Sequence, residues 1–139
     1  MTEHGASLLE LVAALALAAI LGAFAVVRLA EVVGETRVAG AARTIATQLR
    51  LARGCALAGG GAIDVRCDRG RRSCDVRDAA GTRLETRTLP AGVAFTALPA
   101  RQGVSFTALG TADNGTFTVG AGAHRRSVVV NQRGRVRVS

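Results

Sequence analysis

From Leu11 to Val27 the sequence runs for seventeen residues without a charge. With residues 6–10 added, the stretch reaches the ~20 residues that a bilayer-spanning helix needs. A cleaved secretory signal peptide or a plain signal anchor has a similar length, so length alone does not decide among these. What sets this run apart is Glu10, a carboxylate inside the apolar stretch. A charge at mid-bilayer costs roughly 2.5–3.5 kcal/mol on insertion scales and needs something to offset it. A small residue, Gly5, stands at the edge of the run, five positions before the acid.

Beyond the run the helical pattern continues. No breaker other than Gly interrupts residues 6–54, and Val38, Ala42, Ile45, Leu49, Ala52 and Ala56 recur at steps of four and three, which places them on one helical face. Arg37, Arg43 and Arg50 fall mostly on the opposite side, so the second half of the helix is expected to pack an apolar stripe onto a sheet and expose arginines. At 1.5 Å rise per residue such a helix is ~70 Å long. The stripe is too Ala-rich and short for a coiled-coil stalk. Ala58-Gly-Gly-Gly61 ends the pattern as a hinge; without a following Gly-Lys-Ser/Thr it is no phosphate loop.

After residue 61 the period becomes two. Ile63, Val65 and Cys67 alternate with polar residues, as do Cys74 and Val76, Val104 and Phe106, and Phe117 and Val119, with Gly-rich turn signals between them. Seven or eight short, mostly antiparallel strands are expected. Trp and Tyr are absent and Phe occurs four times, so the core must be built from aliphatic residues. Cys67 and Cys74 flank Asp-Arg-Gly-Arg-Arg-Ser, a turn-like stretch that would set the two thiols across a hairpin. A disulfide there suits an oxidising compartment, with Cys55 free or an alternative partner.

The formal charge is +8, and every basic residue is Arg. Residues 54–139 hold thirteen Arg against six acids, so the excess sits in the β-rich part, where it favours polyanions or is simply a soluble basic surface. At the C-terminal end, residues 127–131 read as a strand, Gln132-Arg133-Gly134 as a turn and residues 135–139 as a last strand. Alternation puts Val136 and Val138 on one side and Arg133, Arg135 and Arg137 on the other, at roughly 6.6–6.8 Å per two-residue step.

Two stretches carry a family resemblance. Gly5-Ala-Ser-Leu-Leu-Glu10-Leu11 resembles the prepilin signature of type IV pilins and pseudopilins, with Ala6 where Phe or Met is usual. The resemblance implies cleavage by a prepilin peptidase between Gly5 and Ala6, methylation of the new amine, and pairing of Glu10 with the N-terminal amine of a neighbouring subunit. A cation from the next helix would make the buried carboxylate tolerable. The closing stretch, from Gly115-Thr-Phe-Thr-Val119 through Val128-Val-Val130 to Gly134-Arg-Val-Arg137, is similar to the GspH/FimT family of type II secretion pseudopilins and type IV minor pilins. In competence-associated members of that family a Gly-Arg-x-Arg element binds DNA, which would carry over to Gly134, Arg135 and Arg137, with Arg133, Arg125 and Arg126 alongside.

The expected fold is therefore α+β and pilin-like, a long N-terminal helix with a transmembrane first half on a small, mostly antiparallel β domain. The implied segments are a leader at 1–5, a transmembrane half-helix at 6–29, an extracytoplasmic half-helix at 30–57 and a β-rich domain at 58–139. The expected function is that of a minor pilin or pseudopilin priming or capping a filament, with a DNA receptor for transformation as the alternative. The expected setting is the inner membrane, single-pass, with the C-terminal domain periplasmic and the chain assembled into a periplasmic or surface filament. Partners would be other pilins, the prepilin peptidase, the inner membrane and, in the alternative, double-stranded DNA. No cofactor, metal or catalytic residue is expected. His124 lies in a Gly/Ala loop beside two arginines, and Asp64, Asp68, Asp75 and Asp78, which could suggest calcium, are interspersed with Arg66, Arg69, Arg71, Arg72 and Arg77 as self-paired surface charge.

Overall fold

The computed structural model describes residues 8–139; Gly5 and Ala6, the expected cleavage pair, lie outside the described residues. Helix α1 spans Leu8–Gly59 and is followed by eight strands, each paired antiparallel with its neighbours. The chain divides into two compact units at Val33 and Gly34.

In the first unit the helix carries its apolar side chains exposed all round, with Leu11, Leu15, Phe24 and Leu29 each more than half accessible. Its length and hydropathy qualify it to cross a membrane. Glu10 lies near the start of the described part of α1.

The second unit begins at Gly34 and contains the rest of α1 and the strands. The stripe expected from periodicity is buried: Val38, Ala42, Ile45, Leu49, Ala52 and Ala56 are all at most 2% exposed, and Ala41 and Ala46 widen it. The strands form two four-stranded sheets. In the first, β1 (Ile63–Asp68), β2 (Ser73–Arg77), β3 (Arg83–Thr88) and β5 (Gly103–Phe106) lie in the order β3-β2-β1-β5. In the second, β4 (Ala94–Ala97), β6 (Gly115–Ala121), β7 (His124–Val130) and β8 (Val136–Val138) lie in the order β4-β6-β7-β8. Strand alternation sorts each sheet. Val65, Cys67, Cys74, Val76, Val104 and Phe106 from the first and Phe95, Phe117, Val119, Val128 and Val130 from the second join the helical stripe in one core.

Cys67 and Cys74 are directly opposite in the β1–β2 hairpin and form a disulfide, leaving Cys55 as a free, half-buried thiol. Closing so short a loop is worth about 2.5 kcal/mol in the chain-entropy treatment. The acids of this region serve local structure. Asp68 accepts from the amides of Gly70 and Arg71, and Asp78 from those of Ala80 and Thr82. Asp75 pairs with Arg77 and Arg83. Burial alone would push the Asp75 carboxyl up, but hydrogen bonds from Thr86 and Arg77 and the charges of Arg83 and Arg77 outweigh it, so the net direction is downward.

The C-terminal end departs from the sequence-based boundaries. Strand β7 starts at His124, three residues earlier than expected, because Gly122, at φ 57°, closes a tight turn that lets residues 124–126 pair with residues 119–121. His124 is thus the first residue of a strand, packed over Gly34, and not part of a loop. Strand β8 is shorter than expected, Val136–Val138, because Gly134 is in a left-handed conformation at φ 69°.

Candidate functional site

The β7–β8 hairpin carries the C-terminal arginines, though not as a single row. In β7 the buried Val128 and Val130 define the inward face, so Arg126 points inward at the strand's end and Arg125, Ser127 and Val129 point outward. Arg126 donates from Nη2 to Oε1 of Glu35 on α1 at 3.1 Å. Its charge is therefore already partnered, and it stands apart from the outward group. Arg137 is paired across from Val129, which puts it on the same outward face as Arg125. Four residues along β7 separate these positions, about 13 Å. Between them the outward face carries Ser127 and Thr118, whose hydroxyls are 3.0 Å apart.

Arg133 and Arg135 belong to the turn. The amide of Gly134 donates to the Asn131 carbonyl at 2.8 Å, and the Asn131 side chain accepts from the Arg135 amide at 2.9 Å. The expected common face of Arg133, Arg135 and Arg137 is therefore corrected: the two-residue alternation fails at Gly134, and Arg133 sits at the exposed turn.

Gly134 has a packing role that its place in an Arg-rich motif does not suggest. It is buried, and a Cβ built on it would collide with the carbonyl oxygen of Gly110 and come within 2.9 Å of Nε of Arg53. Gly110 is itself buried, at φ 73°. Its carbonyl accepts from Arg53 Nε at 3.1 Å, and Arg50 reaches the Val136 carbonyl at 3.4 Å. The Ala112 amide donates to the Gln132 carbonyl at 3.0 Å. Arg50 and Arg53 of α1, the β5–β6 loop and the β7–β8 turn thus meet in one seam. Sequence reasoning missed Arg53, Gly110 and Glu35, whose roles depend on contacts between distant parts of the chain. The only local signal was a second glycine in a turn-like Leu-Gly-Thr.

A long N-terminal helix whose second half is the spine of a small antiparallel β domain, with a core disulfide and a closing arginine hairpin, defines a pilin-like protein. Residues 41–134, more than half of the chain, match the family described as Type II transport protein GspH. The chain belongs to the GspH family. Among solved structures it is similar to the minor pseudopilin EpsH from the type 2 secretion system of Vibrio cholerae, at 18% identity and a TM-score of 0.61, covering 74% of this chain and 96% of that one. It is also similar to the type IV minor pilin FimU of Pseudomonas aeruginosa, strain PAO1, at 20% identity and a TM-score of 0.63, covering 75% of this chain and 89% of that one. No curated protein matches it in sequence.

Proposed function

We propose that this chain is a minor structural subunit of a type II secretion pseudopilus or a type IV pilus, held in the inner membrane by residues 6–29 and acting where the filament is primed or capped. The observation that carries this reading is Glu10, the one charge in the apolar stretch of α1 from Leu8 to Val27. No ion pair to it is recorded among the described residues of the single chain. A carboxylate in that position is useful only when another molecule supplies the cation. The N-terminal amine of the next subunit, freed by cleavage between Gly5 and Ala6, has the right chemistry. The test is incorporation of Glu10 variants into filaments.

A second reading, contact with double-stranded DNA, is favoured by one observation. Arg125, Arg133, Arg135 and Arg137 have no carboxylate partner among the described residues, whereas Arg126 does. Phosphate contacts from such groups are largely independent of sequence and weaken steeply with salt. Changing Arg135 and Arg137 together to Gln should lower the slope of log affinity against log salt by about 2, one unit per contact. Undetectable binding at low salt, or binding that is unchanged in the variant, rejects the DNA reading.

A further inference from the structure

The turn between β1 and β2, Arg69-Gly-Arg-Arg72, sets three like charges close together, yet it is clamped from several sides. The Cys67–Cys74 disulfide closes its base, and Oδ1 of Asp68 accepts from the amides of Gly70 and Arg71. The Arg72 carbonyl accepts from the Leu89 amide at 2.7 Å, and Arg69 reaches across to the Thr96 carbonyl at 3.1 Å. Arg72 and Gln102 are the two non-glycine residues at positive φ among those described, at 52° and 55°. The Gln102 carbonyl accepts from the Cys67 amide at 2.8 Å, so both of these residues border the same hairpin. Left-handed backbone outside glycine persists where its surroundings hold it, and it concentrates at functional sites.

Beside this turn a groove of about 170 Å³ is lined by Arg66, Arg71, Ser73 and Gln102, together with Asp68, Asp75 and Arg77. Arg66 alternates with the buried Val65 and Cys67 and so stands on the outward face of the first sheet. Arg66 and Arg71 are exposed, and neither has a carboxylate partner among the described residues. The acids of the groove are already engaged. Asp75 accepts from Thr86 through Oδ1 and pairs through Oδ2 with Arg77 and Arg83, while Asp68 holds the turn. Asp75 is outnumbered by its own two arginines, and Arg66 and Arg71 outnumber Asp68, so the groove is net positive and attracts an anion.

From these groups we infer that the groove binds a phosphate group, carried by a small phosphorylated molecule or by a lipid headgroup. Two guanidinium groups, a hydroxyl and a carboxamide supply the donors, from β1, its turn, β2 and the segment before β5. A tetrahedral oxyanion offers acceptor oxygens in several directions to donors placed on separate elements, whereas a carboxylate offers two in one plane. A turn already fixed by a disulfide and backbone hydrogen bonds loses little freedom when Arg71 engages the ligand. The groove belongs to the first sheet, and Arg125 and Arg137 belong to the second. The inference goes beyond the filament reading and rests neither on Glu10 nor on the C-terminal arginines.

The test follows the Nε–Hε resonances of Arg66 and Arg71 in the full-length protein, held in neutral micelles, as glycerol 3-phosphate is added, with acetate at equal ionic strength as the comparison. Both resonances should shift to saturation with glycerol 3-phosphate and stay in place with acetate. Arg71→Gln, a change at an exposed side chain, should weaken the saturation seen at Arg66 about tenfold or more, the scale of one charge-assisted hydrogen bond. Changing Arg135 and Arg137 together to Gln should leave it unaltered, which separates this site from the DNA reading. Phosphatidic acid doped into the micelles is the second probe. Saturation by glycerol 3-phosphate assigns a free phosphorylated molecule, and a response to phosphatidic acid alone assigns a lipid headgroup. No shift with either probe, an equal shift with acetate, or binding by Arg71→Gln as tight as that of the wild type would each overturn the inference.

Discussion

Replacing Glu10 with Ala is expected to leave the chain in the membrane and to remove it from the filament. Insertion should be unaffected or easier, because the variant takes away the one charge that the apolar run carries and with it a cost of roughly 2.5–3.5 kcal/mol. Incorporation should fall because the partner amine then loses its counter-ion in a low-dielectric setting. Removing one member of a buried ion pair typically costs about 3–5 kcal/mol, and each 1.4 kcal/mol is about tenfold in an equilibrium. A loss of roughly 100- to 4,000-fold in subunit docking is therefore the expected scale, read as the amount of variant recovered in isolated filaments relative to membranes. Glu10→Gln separates charge from shape: it keeps the side chain's size and should be nearly as defective as Ala. Wild-type recovery of both variants would remove Glu10 from the assembly mechanism.

The second large effect belongs to Gly134. Placing an Ala there asks a residue with a Cβ to hold φ near 69°, and puts that Cβ against the Gly110 carbonyl and the Arg53 side chain. The left-handed conformation alone costs about 1–2 kcal/mol. Displacing a buried backbone contact adds to it, so a total of about 2–4 kcal/mol is expected for Gly134→Ala. For a domain of this size that is a fall in melting temperature of about 10 °C or more. Gly122 supplies the control, since its φ of 57° is similar but nothing lies within 4 Å of a Cβ placed on it. Gly122→Ala should therefore show the conformational cost only. Equal destabilisation by the two substitutions in urea or thermal unfolding would mean that the seam between Arg53, Gly110 and Gly134 contributes nothing.

Much of the fold could be read from local periodicity because the features concerned are local. The stripe from Val38 to Ala56 is a matter of steps of three and four on one helix, and each residue in it is buried. The Cys67–Cys74 bridge follows from two alternating segments around a short turn. The features that escaped are those created by topology. Arg126 and Glu35 are 91 residues apart, Arg53 and Gly110 are 57 apart, and no pattern along the chain announces either meeting. The arginine hairpin was half legible. Treating Arg133, Arg135 and Arg137 as one row ignored the positive φ that a Gly in a turn permits. Gln48, buried at 3% exposure, was invisible for the opposite reason: a polar residue beside an apolar stripe reads as surface until burial is known.

The most direct test of the filament assignment is the mass of the chain's N-terminal peptide in filaments purified away from membranes, measured for wild type and for Glu10→Ala. The expected result is that filaments contain wild-type chains beginning at a methylated Ala6, with the variant processed but left in the membrane. Chains that keep residues 1–5, or processed chains found only in the membrane fraction when filaments are abundant, would contradict it.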